Sequence, residues 1–246
     1  MGYRVNLSLP RTAEIGRSNV LTLPIVDDAG ATQTPGSGST LTVRLGTLVL
    51  LDEVAVPAAA PAAYTMTAGT TTGQAPSAEY QEIWTLAGLG TFTWSGFLVR
   101  YAYYPTVTET HLLQRHPELL DLLPAGETTA EKYLIAAADQ VQKALMKRGR
   151  RPWLVVDSWA LHDAELYYAL HLWAQDARMR TAGAPSNTYR ELAAEYLQGF
   201  KDELGPNGVQ FRYDDDEDGV VSADQVETPV ASGVVLTGGP RRWRVA

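Results

Sequence analysis

Apolar and polar residues alternate over residues 3–105 with the period of two that is typical of β-strands. Gly, Pro, Ser and Thr interrupt this pattern, most clearly at 34–39 and 70–77, where turns are predicted. A loop is also predicted at 56–61, since proline is poorly tolerated in a central strand. The pattern predicts short strands within 3–9, 20–26, 41–56, 64–66, 80–84 and 92–103. Such a succession of strands and turns predicts an antiparallel β-sandwich or barrel domain over residues 1–107.

The period changes to that of an α-helix near Thr108. The sequence Thr128-Thr129-Ala130-Glu131 matches a capping box, in which threonine and glutamate side chains bond backbone N–H groups that have no partner inside the helix. Four helices are predicted: one over 110–123, one opened by the capping box and ending at Gly149, one capped by Asp157 or Ser158 and running to about Arg180, and one from Asn187 or Thr188 to Gly205-Pro206. Helices of this length with short connections predict a four-helix bundle over residues 108–205.

Residues 206–246 return to a β-prone pattern. Val209, Phe211 and Tyr213 alternate as in a strand, an acidic turn follows, and the stretch 230–236 is again β-prone. Because the tail is too short to bury its own apolar groups, we expect it either to pair with the β domain or to reach another subunit. The fold class predicted for the chain is α+β, with an extended β-prone C-terminal tail after the two domains.

The acidic turn matches the spacing of a calcium-binding loop. With Asp214 at position one, oxygen ligands fall on alternating positions, and Gly219 stands at the sharp turn in position six. Position twelve, however, is Gln225, where a bidentate glutamate is expected. The alternative is a solvated acidic turn between two strands. The candidate calcium ligands are Asp214, Asp216, Asp218, Val220 through its carbonyl, and Ser222.

Composition narrows the classes of function. The chain of 246 residues carries a formal net charge of −8, which argues against general nucleic-acid binding because phosphates require a basic surface. Cysteine is absent, which excludes disulfides and thiolate metal sites. The N-terminal sequence lacks the apolar core of a signal peptide, and no apolar run approaches the roughly 20 residues that span a bilayer. We therefore expect assembly in a cytoplasm and no membrane contact.

Known catalytic motifs are missing from the sequence. It has no GxSxG, phosphate-binding glycine loop or dinucleotide-binding fingerprint. The histidines at 111, 116, 162 and 171 lack the three- or four-residue spacing that places two metal ligands on one helix face. We therefore expect no enzymatic activity and no obligatory cofactor.

Two basic clusters, 147–151 and 241–244, interrupt the acidic background. Cations at the end of a helix offset its dipole, which accounts for the first two residues of the first cluster but less well for Arg150 and Arg151. Docking on an acidic neighbouring subunit is the alternative for both clusters. Aromatic residues are frequent between 153 and 173, and any that lie on an outer surface would suit an interface. The candidate interface residues are Arg150, Arg151, Arg241, Arg242, Trp243 and Arg244.

Residues 110–224 resemble the head–tail connector, or adaptor, proteins of tailed bacteriophages. The resemblance rests on the run 128–175, the segment YRELAAEYLQGFKDEL and the FRYDDDEDG that follows it. It implies that 108–205 is a helical adaptor domain, which assembles, usually in twelve copies, as a ring under the portal protein. The ring would extend the channel through which DNA passes, without sequence-specific binding, and would receive tail, stopper or collar proteins. The implied location is the neck of the virion, assembled in the host bacterial cytoplasm, although a compact adaptor does not need the N-terminal β domain.

Two further functions remain open. A calcium-dependent extracellular binding or adhesion module would use the β-sandwich as its platform, but the signal peptide is missing and the calcium loop is imperfect. A hydrolase with an accessory β domain is disfavoured by the missing motifs.

Overall fold

The structure, a computed structural model, describes residues 2–5, 7, 9, 11–181, 183–205, 208–218, 220 and 226–227. Within these residues the chain has a mixed α+β fold, as the sequence predicts. The strands are β1 (Tyr3–Val5), β2 (Arg11–Glu14), β3 (Asn19–Leu23), β4 (Ile25–Asp27), β5 (Thr40–Leu45), β6 (Leu48–Ala55), β7 (Ala62–Met66), β8 (Glu79–Leu86), β9 (Gly90–Val99), β10 (Phe211–Arg212) and β11 (Val226–Glu227).

A five-stranded sheet in the order β2-β9-β8-β5-β6 dominates the N-terminal half, beside the two-stranded sheets β1–β4 and β3–β7. Its neighbouring strands are antiparallel except β2 and β9, which run parallel with Arg11 opposite Gly96. The prediction of an antiparallel domain is therefore wrong at this pair, and β2 was not predicted as a strand. Side-chain alternation tells which face of a sheet a residue occupies, but it carries no information about strand direction. A sandwich or barrel arrangement stays a prediction.

One apolar core joins the large sheet to its smaller neighbours. Leu41, Trp84 and Leu98 of the five-stranded sheet pack in one buried cluster with Leu21 of β3 and Met66 of β7. Burial of such side chains, at about 25 cal/mol per Å² of apolar surface, is the main stabilising contribution to this half.

The helical elements follow the change of pattern near Thr108. The helices in the described residues are α1 (Ala68–Thr71), α2 (Glu109–Arg115), α3 (Glu131–Lys147), α4 (His162–Arg180) and α5 (Ala184–Glu203), and 3₁₀ turns cover Leu119–Leu122, Pro152–Leu154 and Ser158–Leu161. None of these helices is both long enough and apolar enough to cross a lipid bilayer.

The first helix predicted after Thr108, at 110–123, is wrong as a single element. α2 ends at Arg115, and the following turn of helix is a separate 3₁₀ segment. His116 precedes Pro117, and the residue before a proline is disfavoured in the α conformation. The backbone of His116 accordingly has φ −137° and ψ 86°, which interrupts the helix.

The capping box predicted at 128–131 is also wrong. Ala130 is the residue before α3, and its side chain makes no capping bond. The backbone N–H of Ala130 donates instead to the carboxylate of Glu109 at 2.6 Å, so a residue of another helix satisfies this helix start. A capping box does occur at the start of α2, between Thr108 and His111.

The last two helices begin close to their predicted positions. Asp157, a predicted cap of α4, caps the separate 3₁₀ turn Ser158–Leu161 instead, since its carboxylate accepts a hydrogen bond from the N–H of Trp159. α4 itself begins after Leu161, which makes no side-chain capping bond. α5 begins at Ala184, ahead of the predicted start at 187–188. Pro185 lies in its first turn, where the missing N–H of proline leaves no intrahelical bond unmade.

The start of the predicted tail pairs with its own chain. β11 is antiparallel to β10, and Tyr213 forms an antiparallel bridge with Val155. This part of the chain therefore lies beside the helical half rather than in the five-stranded sheet. Most of the β-prone tail, including 230–246, lies outside the described residues.

Apolar packing crosses the domain boundary predicted at 107. Val99, at the end of β9, and Tyr103 belong to one buried cluster with Leu145 of α3 and Trp153. The two halves therefore share a core, and their division into separate domains stays a prediction.

Candidate functional site

The acidic loop lies at the tip of the hairpin formed by β10 and β11. Ahead of the loop, the N–H of Val156 donates to the carbonyl of Arg212 at 3.0 Å, and the N–H of Asp214 donates to the carbonyl of Leu154 at 2.9 Å. Asp214 is consequently only 3% exposed. The start of the loop is therefore fixed to the helical half.

Three aspartates of this loop converge. Asp214, Asp216 and Asp218 each place a carboxylate oxygen within 4.8 Å of the other two. Hard cations such as Ca²⁺ prefer clusters of carboxylate oxygens of this kind. Of the other candidate ligands, the N–H of Val220 donates to the carboxylate of Asp218 at 2.6 Å, and Ser222 lies outside the described residues. Calcium binding stays a prediction.

Glu217 lies between Asp216 and Asp218 in the sequence and forms hydrogen bonds with two arginines. Its carboxylate accepts a hydrogen bond from the guanidinium of Arg151 at 2.6 Å, and its backbone carbonyl accepts one from Nε of Arg100 at 3.1 Å. Glu217 has a φ of 59°, which is uncommon for a residue other than glycine. Arg100 directly follows β9 and Arg151 belongs to the helical half, so the acidic loop connects the two halves.

Both candidate interface residues of the first basic cluster contact this hairpin. The guanidinium of Arg150 lies 5.0 Å from the centroid of the Tyr213 ring, and the backbone N–H of Arg151 donates to the Tyr213 hydroxyl at 2.9 Å. Sequence reasoning missed this arrangement within one chain. A contact with a neighbouring subunit stays a prediction for these two arginines, and the second cluster, 241–244, lies outside the described residues.

A buried carboxylate fixes the segment that joins the halves. Glu165 of α4 is 1% exposed, and it accepts hydrogen bonds from the Tyr103 hydroxyl at 2.5 Å and the Thr106 N–H at 2.9 Å. The Thr106 hydroxyl at 3.2 Å and the Val107 N–H at 3.3 Å donate to the same carboxylate. Burial and the neighbouring Glu165 carboxylate raise the pKa of Tyr103, so its hydroxyl stays protonated and donates.

The exposed Trp159 lies near this segment and packs against two histidines, His162 and His111. The Trp159 ring stacks on His162 at a centroid distance of 4.4 Å, and His162 meets His111 edge-on at 4.7 Å. The Thr106 hydroxyl and Nδ1 of His162 lie 3.1 Å apart. Burial, with a further effect of His111, lowers the pKa of His162, so the neutral ring is favoured. These contacts hold Trp159 in place although it is 60% exposed.

Trp159 is one of several large exposed side chains in the segments 101–104 and 156–159. Tyr101 and Val156 line one small pocket together with Asp214 and Glu217 of the acidic loop, and Tyr104 is 55% exposed. We define the junction surface as Tyr101, Tyr104, Val156 and Trp159. Large apolar side chains exposed as one patch mark interaction sites rather than ordinary surface, and the shared pocket places Tyr101 and Val156 together.

No protein-family model, curated protein sequence or solved structure matches this chain.

Proposed function

We propose that this chain is a structural virion protein, a head–tail connector subunit that forms a ring under the portal and joins the phage head to the tail. The junction surface carries the proposal. Exposed aromatic side chains that are already held in one conformation supply large contact area at a small entropic cost, and such residues dominate binding energy at protein interfaces. Trp159, stacked on His162, has these properties.

The segments that resemble connector proteins form helices that pack against each other. The run 128–175 contains α3 and most of α4, and the YRELAAEYLQGFKDEL segment, residues 189–204, covers most of α5. Trp173 meets Tyr189 at 5.5 Å between ring centroids and Tyr168 meets Phe200 at 4.8 Å, so α4 and α5 pack antiparallel through their aromatic side chains. A net charge of −8 also suits a channel through which DNA passes without being bound.

Replacing Trp159 with alanine is expected to weaken assembly by about 30-fold or more, since an interface hot spot contributes about 2 kcal/mol or more. The folded subunit should keep its unfolding midpoint because the ring is largely exposed. Sedimentation velocity over a concentration series, with negative-stain images of the fractions, measures the assembled fraction and shows whether it is ring-shaped.

Met179→Ser is the matched control for this variant. Met179 is 82% exposed at the far end of α4, so its replacement also removes exposed apolar surface. We expect assembly of Met179→Ser to match the wild type. A wild-type chain that stays monomeric alone and with portal rings, or a Trp159→Ala chain that assembles normally, would contradict the proposal.

The convergence of Asp214, Asp216 and Asp218 favours a second candidate function, a calcium-dependent binding or adhesion module. In this alternative, Ca²⁺ would order the hairpin beside Arg100 and Arg151, and the β-rich half would carry the ligand. A glycan ligand bound by a calcium-loaded monomer would favour this alternative over a connector ring.

Calcium titration calorimetry is expected to detect a weak site, at about the millimolar end of the usual range, because position twelve of the loop is Gln225. Asp216→Ala should abolish the heat of binding by removing one of three converging carboxylates. Asp215→Asn is the control, since Asp215 is an exposed member of the same loop outside the cluster. Absence of heat and of any shift in melting temperature at several millimolar calcium would make the loop a plain acidic turn.

A further inference from the structure

The start of α2 depends on an uncharged histidine. The backbone N–H of Thr108 donates to Nδ1 of His111 at 3.1 Å, which completes the capping box of this helix. A backbone N–H only donates, so Nδ1 must carry a lone pair, and the neutral ring holds its proton on Nε2. A protonated histidine is a donor at both ring nitrogens and accepts no hydrogen bond there. A second proton on His111 therefore breaks the bond on which this helix start depends.

The residue types that are usual at this position of a capping box behave differently in acid. They are glutamate and glutamine. The glutamine carbonyl accepts a hydrogen bond at any pH, and glutamate stays ionised down to about pH 4. Histidine side chains, in contrast, gain a proton between about pH 5 and 8. A histidine at this position therefore makes the helix start respond to mild acid, where glutamate or glutamine would not.

A second histidine faces His111 from α4. The ring of His162 meets the His111 ring edge-on at 4.7 Å between centroids. The Thr106 hydroxyl donates to the Glu165 carboxylate at 3.2 Å, so it accepts a hydrogen bond from Nδ1 of His162 at 3.1 Å. Nε2 of His162 is then the atom that takes up a second proton. Two protonated rings at this distance would repel each other.

Charged groups of both helices surround this pair of rings. Burial and, after it, the neighbouring imidazole of α2 lower the pKa of His162. Asp163 and Glu165 act in the opposite direction, and on α2 the charges of Glu109 and Arg115 are opposite and lie at opposite ends. A lowered pKa means that the unfolded chain binds the proton more readily than the folded protein. The stability contributed by neutral His162 is therefore complete above pH 6.5 and is lost as the pH falls through the folded pKa.

Three contacts link α2 to its surroundings. Leu112 is fully buried in the apolar core of the helical half. The Glu109 carboxylate accepts the hydrogen bond from the Ala130 N–H at the start of α3. The His111 ring also meets the Trp159 ring edge-on at 6.3 Å between centroids. Loosening of α2 would therefore affect both the start of α3 and the packing of Trp159.

We propose that α2 is an acid-sensitive switch, in which protonation of His111 breaks the capping box, opens the helix start and withdraws a ring that packs against Trp159. The switch belongs to the fold of a single chain and does not require assembly. Its effect on a ring of subunits rests on the proposed function, because Trp159 is part of the junction surface. A connector subunit with this switch would hold its neighbours at neutral pH and release them in mild acid.

Hydrogen–deuterium exchange of the full-length chain at about pH 7.5 and about pH 5.5 tests the switch. The exchange rate of residues 109–115 is divided into the intrinsic rate at the same pH, which gives the protection of α2. We expect this protection to fall about fivefold at the lower pH, which is the usual effect of losing a capping bond. Equal protection of α2 at the two pH values would overturn the proposal.

Two replacements of His111 isolate the effect of its proton. His111→Gln keeps the acceptor at both pH values, so α2 should stay protected at the lower pH. His111→Ala removes the acceptor, so protection should be about fivefold lower already at the higher pH and should fall no further in acid. A loss of protection in acid that persists in His111→Gln would show that another group is responsible and would also overturn the proposal.

Sedimentation velocity at the same two pH values tests the effect on assembly. The assembled fraction of the wild type should fall at the lower pH, and that of His111→Gln should not. Acid-dependent opening of α2 in a chain that never forms rings would support the switch and remove the connector proposal. Rings with equal protection of α2 at both pH values would do the reverse. Rings that persist while α2 opens would overturn the link between the switch and the junction surface.

Discussion

Replacing Glu165 with alanine is expected to lower the free energy of unfolding by about 3–5 kcal/mol, measured by urea unfolding followed by circular dichroism. Glu165 is buried and accepts hydrogen bonds from the Tyr103 hydroxyl and from the backbone N–H groups of Thr106 and Val107. Alanine would leave these donors buried without an acceptor, and each unsatisfied group costs about 1–3 kcal/mol. The loss should be large because all of these donors lie on the segment that joins the two halves.

Two variants separate the hydrogen bonds from a general effect of mutating α4. Glu165→Gln keeps one acceptor oxygen, so we expect a smaller loss of about 1–2 kcal/mol. Asp163→Ala removes an exposed carboxylate from the first turn of the same helix, which should cost at most about 1 kcal/mol. Equal losses for Glu165→Ala and Asp163→Ala would show that the buried carboxylate does not stabilise the junction.

The second large effect is expected at the buried ion pair of the β-rich half. Arg11 of β2 and Glu82 of β8 lie 2.6 Å apart between nitrogen and oxygen, with exposed side-chain fractions of 11% and 0%. Trp84 donates to the same carboxylate oxygen at 2.7 Å, and Arg11 also donates to the backbone carbonyl of Thr22. Arg11→Met would leave a buried carboxylate without its cation, and we expect a loss of about 3–5 kcal/mol at pH 7.

This loss should depend on pH with a definite sign. Burial raises the pKa of Glu82 above 4.5, although Arg11 acts in the opposite direction. A raised pKa in the folded state means that the folded protein holds its proton more tightly than the unfolded chain. The stability contributed by protonated Glu82 is therefore complete below pH 4.5 and is lost as the pH rises through the folded pKa.

Removal of Arg11 takes away the group that opposes this shift. The destabilisation by Arg11→Met should therefore shrink as the pH falls from 7 towards the raised pKa of Glu82, and urea unfolding at pH 7 and pH 5 measures the difference. Adding Glu82→Gln removes the buried negative charge. The double variant should therefore lose less free energy of unfolding at pH 7 than Arg11→Met does, and its stability should depend less on pH.

Arg44→Met is the control for this pH effect. Arg44 is exposed on β5 of the same sheet, and its replacement should change stability by at most about 0.5 kcal/mol at either pH. A loss for Arg11→Met that is the same at pH 7 and pH 5 would contradict the account.

The amino-acid sequence by itself determined the kinds of element and the place where they change. Alternation predicted β5, β8 and β9, and helical spacing predicted α4. These signals are local, because the period of a strand or helix and the chemistry of a cap depend on residues only a few positions apart. The prediction of a calcium-binding loop was local in the same way, because Asp214, Asp216 and Asp218 occupy alternating positions of one short segment.

Only the tertiary structure decided which distant residues meet. Glu165 bonds Tyr103, which lies 62 residues away in the sequence. Glu217 bonds Arg151 through its carboxylate, 66 residues away, and Arg100 through its backbone carbonyl, 117 residues away. The tertiary structure also decided that β2 pairs parallel with β9 and that the exposed Trp159 stacks on His162. A single sequence carries no local signal for these contacts, because they form only when the two halves pack on a shared apolar core. Each polar group buried by that packing then bonds a polar group that lies next to it in space.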